Sequence, residues 1–214
     1  MYWLGKALVQ LGHRVTLIAR ADSFIPGVEL RPLENPDPQD SSWVRLIPDS
    51  TDILHLRNPP PAALPRPFVI TMGGNGRPGQ RFHPNTIFIS RRHADHHQSA
   101  HYVYNGLDPS EYACSETREP YAVFLAKASW DVKNLRGAIQ VCREAGMELH
   151  VIGSRNWPFG LHRMRPPICG VHYHGMLGQQ EKIRLLSRAR WLVFPGRWHE
   201  PFGNAVHEAR ATGC

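Results

Sequence analysis

Short apolar runs alternate along the chain with longer segments in which apolar residues recur every three or four positions. The runs have the length of buried strands, and the longer segments have the period of amphipathic helices. The predicted strands span residues 15–18, 28–33, 52–56, 68–71, 86–90, 102–104, 121–126, 148–152, 171–174 and 191–194. The predicted helices span residues 3–11, 91–100, 134–145, 179–189 and 204–212.

This alternation of strands and helices indicates parallel sheets built from right-handed βαβ units. A connector that contains Glu and Pro, residues 111–120, separates two such series. We therefore expect an α/β protein with an N-terminal domain, 1–116, and a C-terminal domain, 117–214, both Rossmann-like, with parallel sheets that face a cleft. Ligands of such folds bind outside the carboxyl ends of the strands.

The net charge of the chain limits the classes of molecule that we expect it to bind. The chain has 214 residues, with 25 Lys and Arg against 18 Asp and Glu, so its formal net charge is +7. Such a surface favours phosphorylated small molecules, an anionic membrane surface or nucleic acid. Nucleic acid is disfavoured because the densest basic region, 161–166, has no interleaved aromatic residues. No apolar run approaches the roughly 20 residues that cross a bilayer, which excludes a transmembrane protein.

Four widely separated cysteines indicate isolated thiols rather than a disulfide framework or a structural zinc site. None of Cys114, Cys142, Cys169 and Cys214 belongs to a C-x-x-C pair. A reducing cytoplasm is therefore the expected location. The basic charge leaves peripheral contact with the inner membrane face as an alternative to a wholly dissolved protein.

The most informative segment for chemistry is the last strand, 191–194, with the loop and helix that follow it. Glu200 lies in the loop, Gly203 precedes the helix, and Glu208 lies about a turn and a half inside it. A helix N-terminus offers unpaired N–H groups and a partial positive charge, which bind phosphate. Glycine at this position lets a ligand approach the backbone.

This segment resembles the E-x7-E signature of the retaining glycosyltransferases of family 4, which have the GT-B fold. Glu200 and Glu208 occupy the acidic positions, with Phe202 and Gly203 between them. The resemblance runs from near residue 4 to residue 214. Other segments resemble the family's domain connection (103–108), its phosphate-binding pair (124–127 with 133–134), its strand ends near the nucleotide base (151–153 and 174–177) and segments of its acceptor domain (8–15 and 52–55).

The resemblance implies transfer of a sugar from a UDP- or GDP-linked donor to an acceptor hydroxyl, with retention of configuration and with neither a cofactor nor a catalytic metal. Glu200 is the implied catalytic residue. It would bind sugar hydroxyls, Lys127 and Lys133 the phosphates, and Glu208 the ribose. The implied donor-binding residues are Lys127, Lys133, Met176, Phe202, Gly203, Asn204 and Glu208. The acceptor stays open between a saccharide and a lipid-linked molecule.

The chain departs from the family pattern in several places. It begins inside what resembles the first helix and stops at 213–214, so we expect a fragment truncated at both ends. Gly73 occupies the place of a frequent histidine, and Lys127 replaces an arginine, which keeps the charge but loses a bidentate fork. Ala126 and Asn134 replace glycines of the phosphate-binding loop.

Two other functions stay open. One is an inactive remnant that binds a nucleotide or only packs against a partner, and the other is a nucleotide-sugar epimerase or phosphorylase on the same fold.

Histidine and tryptophan supply further candidates. His93, His96, His97 and His101 have near-helical spacing, for which a His-rich surface helix is favoured over a metal site. His172 and His174 share a strand face without an evident role. Trp130, Trp157 and Trp198 are candidates for stacking on a sugar, with ordinary packing as the alternative.

Overall fold

A computed structural model of the protein describes residues 1–34, 41–77, 79–153 and 168–214. The basic region 161–166 and Trp157 lie outside these described residues. The chain divides into two compact units, Met1–Gly106 and Leu107–Cys214. The predicted domain boundary, between residues 116 and 117, falls within the second unit.

The described part of the first unit pairs its strands in parallel, in two separate sheets. The two-stranded sheet has the order β1–β2 and the three-stranded sheet the order β3–β4–β5. The elements are α1 (Tyr2–Gln10), β1 (Thr16–Ala19), β2 (Glu29–Pro32), β3 (Leu54–Leu56), β4 (Phe68–Met72), β5 (Thr86–Phe88) and α2 (Arg91–His96), with a 3-10 turn at Ser42–Leu46.

The end of the first unit is less regular than its pattern predicts. The predicted strand 102–104 is reduced to one parallel bridge between Tyr102 and Phe88. Helix α2 ends at His96 instead of continuing to residue 100. Gln98 takes a φ of 56°, which lies in the left-handed region and cannot continue a right-handed helix.

The four closely spaced histidines are not simply the surface residues that their spacing predicts. His93 is fully buried, with its ring edge-on to Phe88 at 4.9 Å between centroids. Its Nε2 lies 3.1 Å from the carbonyl oxygen of Gly74. His97 stacks on the same phenylalanine at 5.0 Å, while His96 is exposed. Two of the four histidines therefore pack around Phe88, one of the largest fully buried side chains.

The second unit is built around one parallel four-stranded sheet with the order β8–β7–β6–β9. Short 3-10 turns, Pro109–Glu111 and Asp131–Lys133, precede β6 and α3. None of the helices in the described ranges is long and apolar enough to cross a membrane. The elements are β6 (Glu119–Leu125), α3 (Leu135–Glu144), β7 (Glu148–Ile152), β8 (Val171–Gly175), α4 (Gln179–Arg188), β9 (Ala189–Leu192) and α5 (Asn204–Ala211).

Both faces of the central strand β6 are buried, as a parallel sheet requires. On one face Phe124 packs with Leu135 and Cys142 of α3. On the other face Val123 packs with residues of α4 and α5, among them Leu186. Because successive side chains of a strand alternate between faces, β6 holds both helix layers.

Candidate active site

Glu200 lies in the loop between β9 and α5, where two donors converge on one of its oxygens. The Nζ of Lys133 is 2.6 Å from Oε2, and Nε1–H of Trp198 donates to the same oxygen at 2.7 Å. The two charged side chains are only 14% and 25% exposed. Charge-assisted hydrogen bonds of this length are stronger than neutral ones. Glu200 therefore has a fixed orientation beside the loop that follows β6.

Two hydrogen bonds between the neighbouring loops, one from the backbone and one from a side chain, hold this pair in place. The N–H of Arg197 donates to the carbonyl of Val132 at 2.7 Å, and Nδ2 of Asn134 donates to the carbonyl of Pro195 at 3.1 Å. Asn134 also caps α3, since its side-chain oxygen accepts from the N–H of Gly137. The loop after β6 and the loop after β9 are thus joined on both sides of Lys133.

Aromatic rings surround the two lysines of the predicted phosphate-binding pair. Lys133 lies 4.4 Å from the ring centroid of Trp198, and Lys127 lies 4.8 Å from that of Trp130. The two tryptophan rings meet edge to face at 6.2 Å. A cation over an aromatic face is attracted by the ring quadrupole. Both cations are therefore placed over indole rings at the carboxyl end of β6, Lys127 being exposed and Lys133 partly buried.

The start of α5 is the third part of the site. Gly203 is buried and has a φ of +86°, a conformation that glycine adopts without strain. Asn204 is exposed as the first helical residue, and the ring of Phe202 stacks on His207 at 4.3 Å. The first N–H groups of the helix have no intrahelical acceptors. This end of α5 has the chemistry of an anion site.

Glu208 belongs to a second ion pair. Its Oε2 lies 2.5 Å from Nζ of Lys182 on α4, with both side chains largely buried. Tyr112 is only 6% exposed, and this burial is the main cause that raises its pKa to about 12. A hydrogen bond from Gln179 opposes the shift, and the charge of Glu208 adds to it. The two acids of the E-x7-E segment therefore pair with different lysines.

Glycine is required where β6 and β7 end. A Cβ on Gly153 would lie 2.3 Å from the carbonyl oxygen of Ala126, and its φ is +123°. Met176, which follows β8, is 68% exposed. The backbone after β7 therefore lies close to the backbone after β6, and only glycine fits at position 153.

In the first unit, Gly73 occupies the position at which the resembled family frequently has a histidine. Among the described residues, the guanidinium of Arg57 is the one group near the position that a Cβ on Gly73 would take, at 4.0 Å. The neighbouring residue Gly74 is contacted by His93, from a helix later in the chain. His55 lies 2.5 Å from the hydroxyl of Thr71 on the adjacent strand, and its burial lowers its pKa.

Sequence reasoning missed two features of the second unit. Lys182, the partner of Glu208, has no motif around it and is identified only by the packing of α4 against α5. His172 and His174, which had no evident role, lie beside His150 on β7. The alternation of side chains along β8 predicts that His172 and His174 share a face. It does not predict that β7, with His150, is the neighbouring strand.

Known structures share this architecture. AviGT4, described as a glycosyltransferase involved in avilamycin A biosynthesis, matches 97% of the chain with a TM-score of 0.71 and 21% identity. Sucrose-phosphate synthase from Thermosynechococcus elongatus matches 99% with a TM-score of 0.67 and 13% identity. The sequence matches no family model and no curated protein. The chain spans 66% of the length of the first structure and 72% of the second.

These matches define the class of fold. The α/β architecture with parallel sheets is that of GT-B glycosyltransferases, which confirms the predicted fold class. At these identities the likeness shows the fold alone. Family 4 membership and the roles of the individual site residues stay predictions.

Proposed function

We propose that the chain is a retaining glycosyltransferase that uses a nucleoside diphosphate sugar. The observation that carries the proposal is the convergence of Lys133, Glu200 and Trp198 beside the start of α5. This arrangement offers positive charge, an oriented carboxylate and N–H donors at one end of a parallel sheet. A glycosyl donor needs each of them, for its diphosphate, its sugar and its leaving-group oxygens.

In the proposed reaction, the bond between the anomeric carbon and the diphosphate oxygen breaks, and the acceptor oxygen bonds to the same carbon. Negative charge grows on the departing diphosphate, where Lys127, Lys133 and the N–H groups of Phe202 and Gly203 stabilise it. The departing phosphate takes the acceptor's proton, so no protein nucleophile is required. Glu200 stabilises the positive charge that develops on the sugar.

Glu208 is proposed to bind the ribose hydroxyls, and Asn204 and Met176 to complete the donor site. Lys182 pairs with Glu208 and holds its carboxylate in one orientation. A carboxylate accepts up to four hydrogen bonds, so it can bind both the lysine and a pair of hydroxyls. The donor is proposed to be UDP- or GDP-linked and the acceptor a saccharide or a lipid-linked molecule.

Titration calorimetry with UDP, GDP, ADP and their sugar conjugates tests the donor site. We expect saturable binding of one nucleotide, weakened about tenfold in Lys133→Met and in Glu208→Gln. A 2′-deoxynucleotide is expected to lose most of its sensitivity to Glu208→Gln while keeping its sensitivity to Lys133→Met. The exposed residues Arg143 and Glu181 supply the matched controls Arg143→Met and Glu181→Gln.

Turnover separates the enzyme from the binding remnant. Glu200→Gln keeps a side chain that accepts from Trp198 but loses its charge, so release of nucleotide from the nucleotide sugar should fall about 10²–10³-fold. Nucleotide affinity should change much less. Binding without release, in the wild-type chain and with a panel of saccharide and lipid acceptors, supports the remnant. If the folded chain binds no nucleotide, the enzyme and the nucleotide-binding remnant are both contradicted, and a remnant that only packs against a partner is supported.

A further inference from the structure

A histidine cluster lies at the edge of the sheet in the second unit. His150 of β7 is in register with His172 of β8, and paired residues of neighbouring strands point to the same face. Glu148 lies two positions before His150 on that face. Glu148, His150 and His172 each offer a ligand atom, and these atoms lie within 4.8 Å of one another. Of the described residues, this is the group of three that could hold a metal ion.

Neighbouring groups fix the central imidazole. Nδ1 of His150 lies 3.0 Å from Nε2 of His174, and the two rings stack at 4.9 Å. On its other side, His150 stacks on Tyr121 at 4.2 Å. Since Nδ1 is engaged with His174, Nε2 is the nitrogen that His150 offers to a metal. Ligating histidines characteristically use their second nitrogen in such a bond, which sets the tautomer and the ring orientation.

The other two ligands have room to adjust. His172 and Glu148 are exposed, with Nε2 and Oε2 already 3.5 Å apart. Ligand atoms at about 2.0–2.2 Å from a tetrahedral zinc ion lie about 3.3–3.6 Å from one another. Closing the group from 4.8 Å to that spacing needs a shift of little more than 1 Å in exposed side chains.

We infer that Glu148, His150 and His172 form a Zn²⁺ site with an open fourth position, in which His174 is a positioning residue for His150. Two imidazoles and one carboxylate suit zinc, whereas Mg²⁺ prefers oxygen ligands alone. The site lies at the amino-terminal halves of β7 and β8, whereas the proposed donor site lies at the carboxyl ends. The inference is therefore independent of the proposed function. A bound ion would join the edge strand β8 to β7.

Calorimetric titration of Zn²⁺ into the metal-free full chain tests the site. We expect one Zn²⁺ per chain with micromolar or tighter affinity, weakened about tenfold or more in His172→Ala and in Glu148→Gln. Mg²⁺ should give no saturable heat. His96→Ala, a substitution of an exposed histidine in the first unit, is the matched control and should keep wild-type binding.

The role of His174 needs its own variants. His174→Ala should weaken Zn²⁺ binding, and His174→Gln should restore it because the amide oxygen accepts the same bond from His150. The thermal transition of each variant without metal serves as the folding control. The inference is overturned if the chain binds no Zn²⁺ at micromolar concentrations, or if His172→Ala retains wild-type affinity. Loss of binding in His96→Ala alone would place the ion on α2 and overturn it as well.

Discussion

At the scale of single residues, the candidate active site contains two ion pairs. Lys133 is paired with Glu200 and Lys182 with Glu208, each in a partly or largely buried setting. A buried charge that loses its partner is costly, so each pair holds its two side chains together in one orientation. Preorganisation of this kind removes the cost of reorienting dipoles during a reaction.

Tyr112, beside the second pair, gives a pH-dependent prediction. Its pKa is raised from 10.0 to about 12, mainly by burial, so the folded chain retains a proton that the unfolded chain releases above pH 10. Stability conferred by this group is therefore present below pH 10 and is lost as the pH rises from 10 towards 12. Tyr112→Phe should show a smaller loss of unfolding free energy over that interval, measured by urea denaturation.

The control for this prediction is Tyr104→Phe, which changes an exposed tyrosine of the first unit. It should lose as much stability as the wild type between pH 10 and 12. Equal losses in Tyr112→Phe and wild type would show that Tyr112 ionises normally in the folded chain.

At the scale of elements, the short segment between β6 and α3 positions the site. Asn134 has φ 58° and ψ 50°, caps α3 and reaches the loop after β9. Asparagine tolerates the left-handed region better than most residues, because its short polar side chain bonds locally. One residue therefore turns the chain, begins a helix and fixes a neighbouring loop.

Substitutions at Asn134 separate these roles. Asn134→Ala should destabilise the chain by about 2 kcal/mol or more, since it loses the cap and leaves a Cβ in the left-handed region without the local polar bonds that make asparagine tolerant of it. Asn134→Gly should cost less than about 1 kcal/mol, because glycine is unstrained there and is a fair cap. Urea unfolding followed by tryptophan fluorescence measures both. A glycine variant as unstable as the alanine variant would assign the role to the bond with Pro195.

Periodicity predicted most elements of the second unit because each has one buried stripe or a short apolar run. Helix α3 has Leu135, Ala138 and Cys142 buried, as its spacing indicates. The end of α2 was missed because the left-handed turn at Gln98 has no glycine to signal it. Division of the first unit's strands into two sheets was also missed, since strand patterns do not encode which strands pair.

For the candidate site, the sequence motifs identify the acidic and basic residues but not which of them form ion pairs. Glu200 and Lys133 were assigned separately to sugar and phosphate, and their direct contact arises from the loop that Asn134 fixes. Glu208 was expected to face a ligand, and only the packing of α5 on α4 places Lys182 against it. Tertiary contacts between distant segments leave no period in a sequence.

At the scale of the whole molecule, the net charge of +7 and a sequence pI near 9.6 favour anions at a distance as well as in contact. Electrostatic attraction is screened over a Debye length of about 10 Å at 0.1 M salt and about 3 Å at 1 M. Affinity for the preferred nucleoside diphosphate should therefore fall about tenfold over this range of salt concentration. The uncharged nucleoside should show little change, and calorimetry at several salt concentrations measures both.

An equal salt response of the nucleoside and the diphosphate would contradict the placement of phosphates at the basic groups. Arg143→Met changes the net charge by one without touching the site, and should leave the diphosphate's salt response nearly intact. Lys133→Met should reduce that response clearly.

The strand order β8–β7–β6–β9 also determines when each strand of the nascent chain can find its neighbours. Strand β6 ends at residue 125, but its second neighbour, β9, starts at residue 189. At 5–20 residues per second, a ribosome needs roughly 3–12 s to make the residues between them. During those seconds β6 can pair only with β7. The backbone N–H and C=O groups along its other edge, which later pair with β9, are still unpaired, and the strand is apolar. Newly made chains are therefore most vulnerable to aggregation in the interval after β6 is complete and before β9 is made, when chaperones that cover strand edges protect them best.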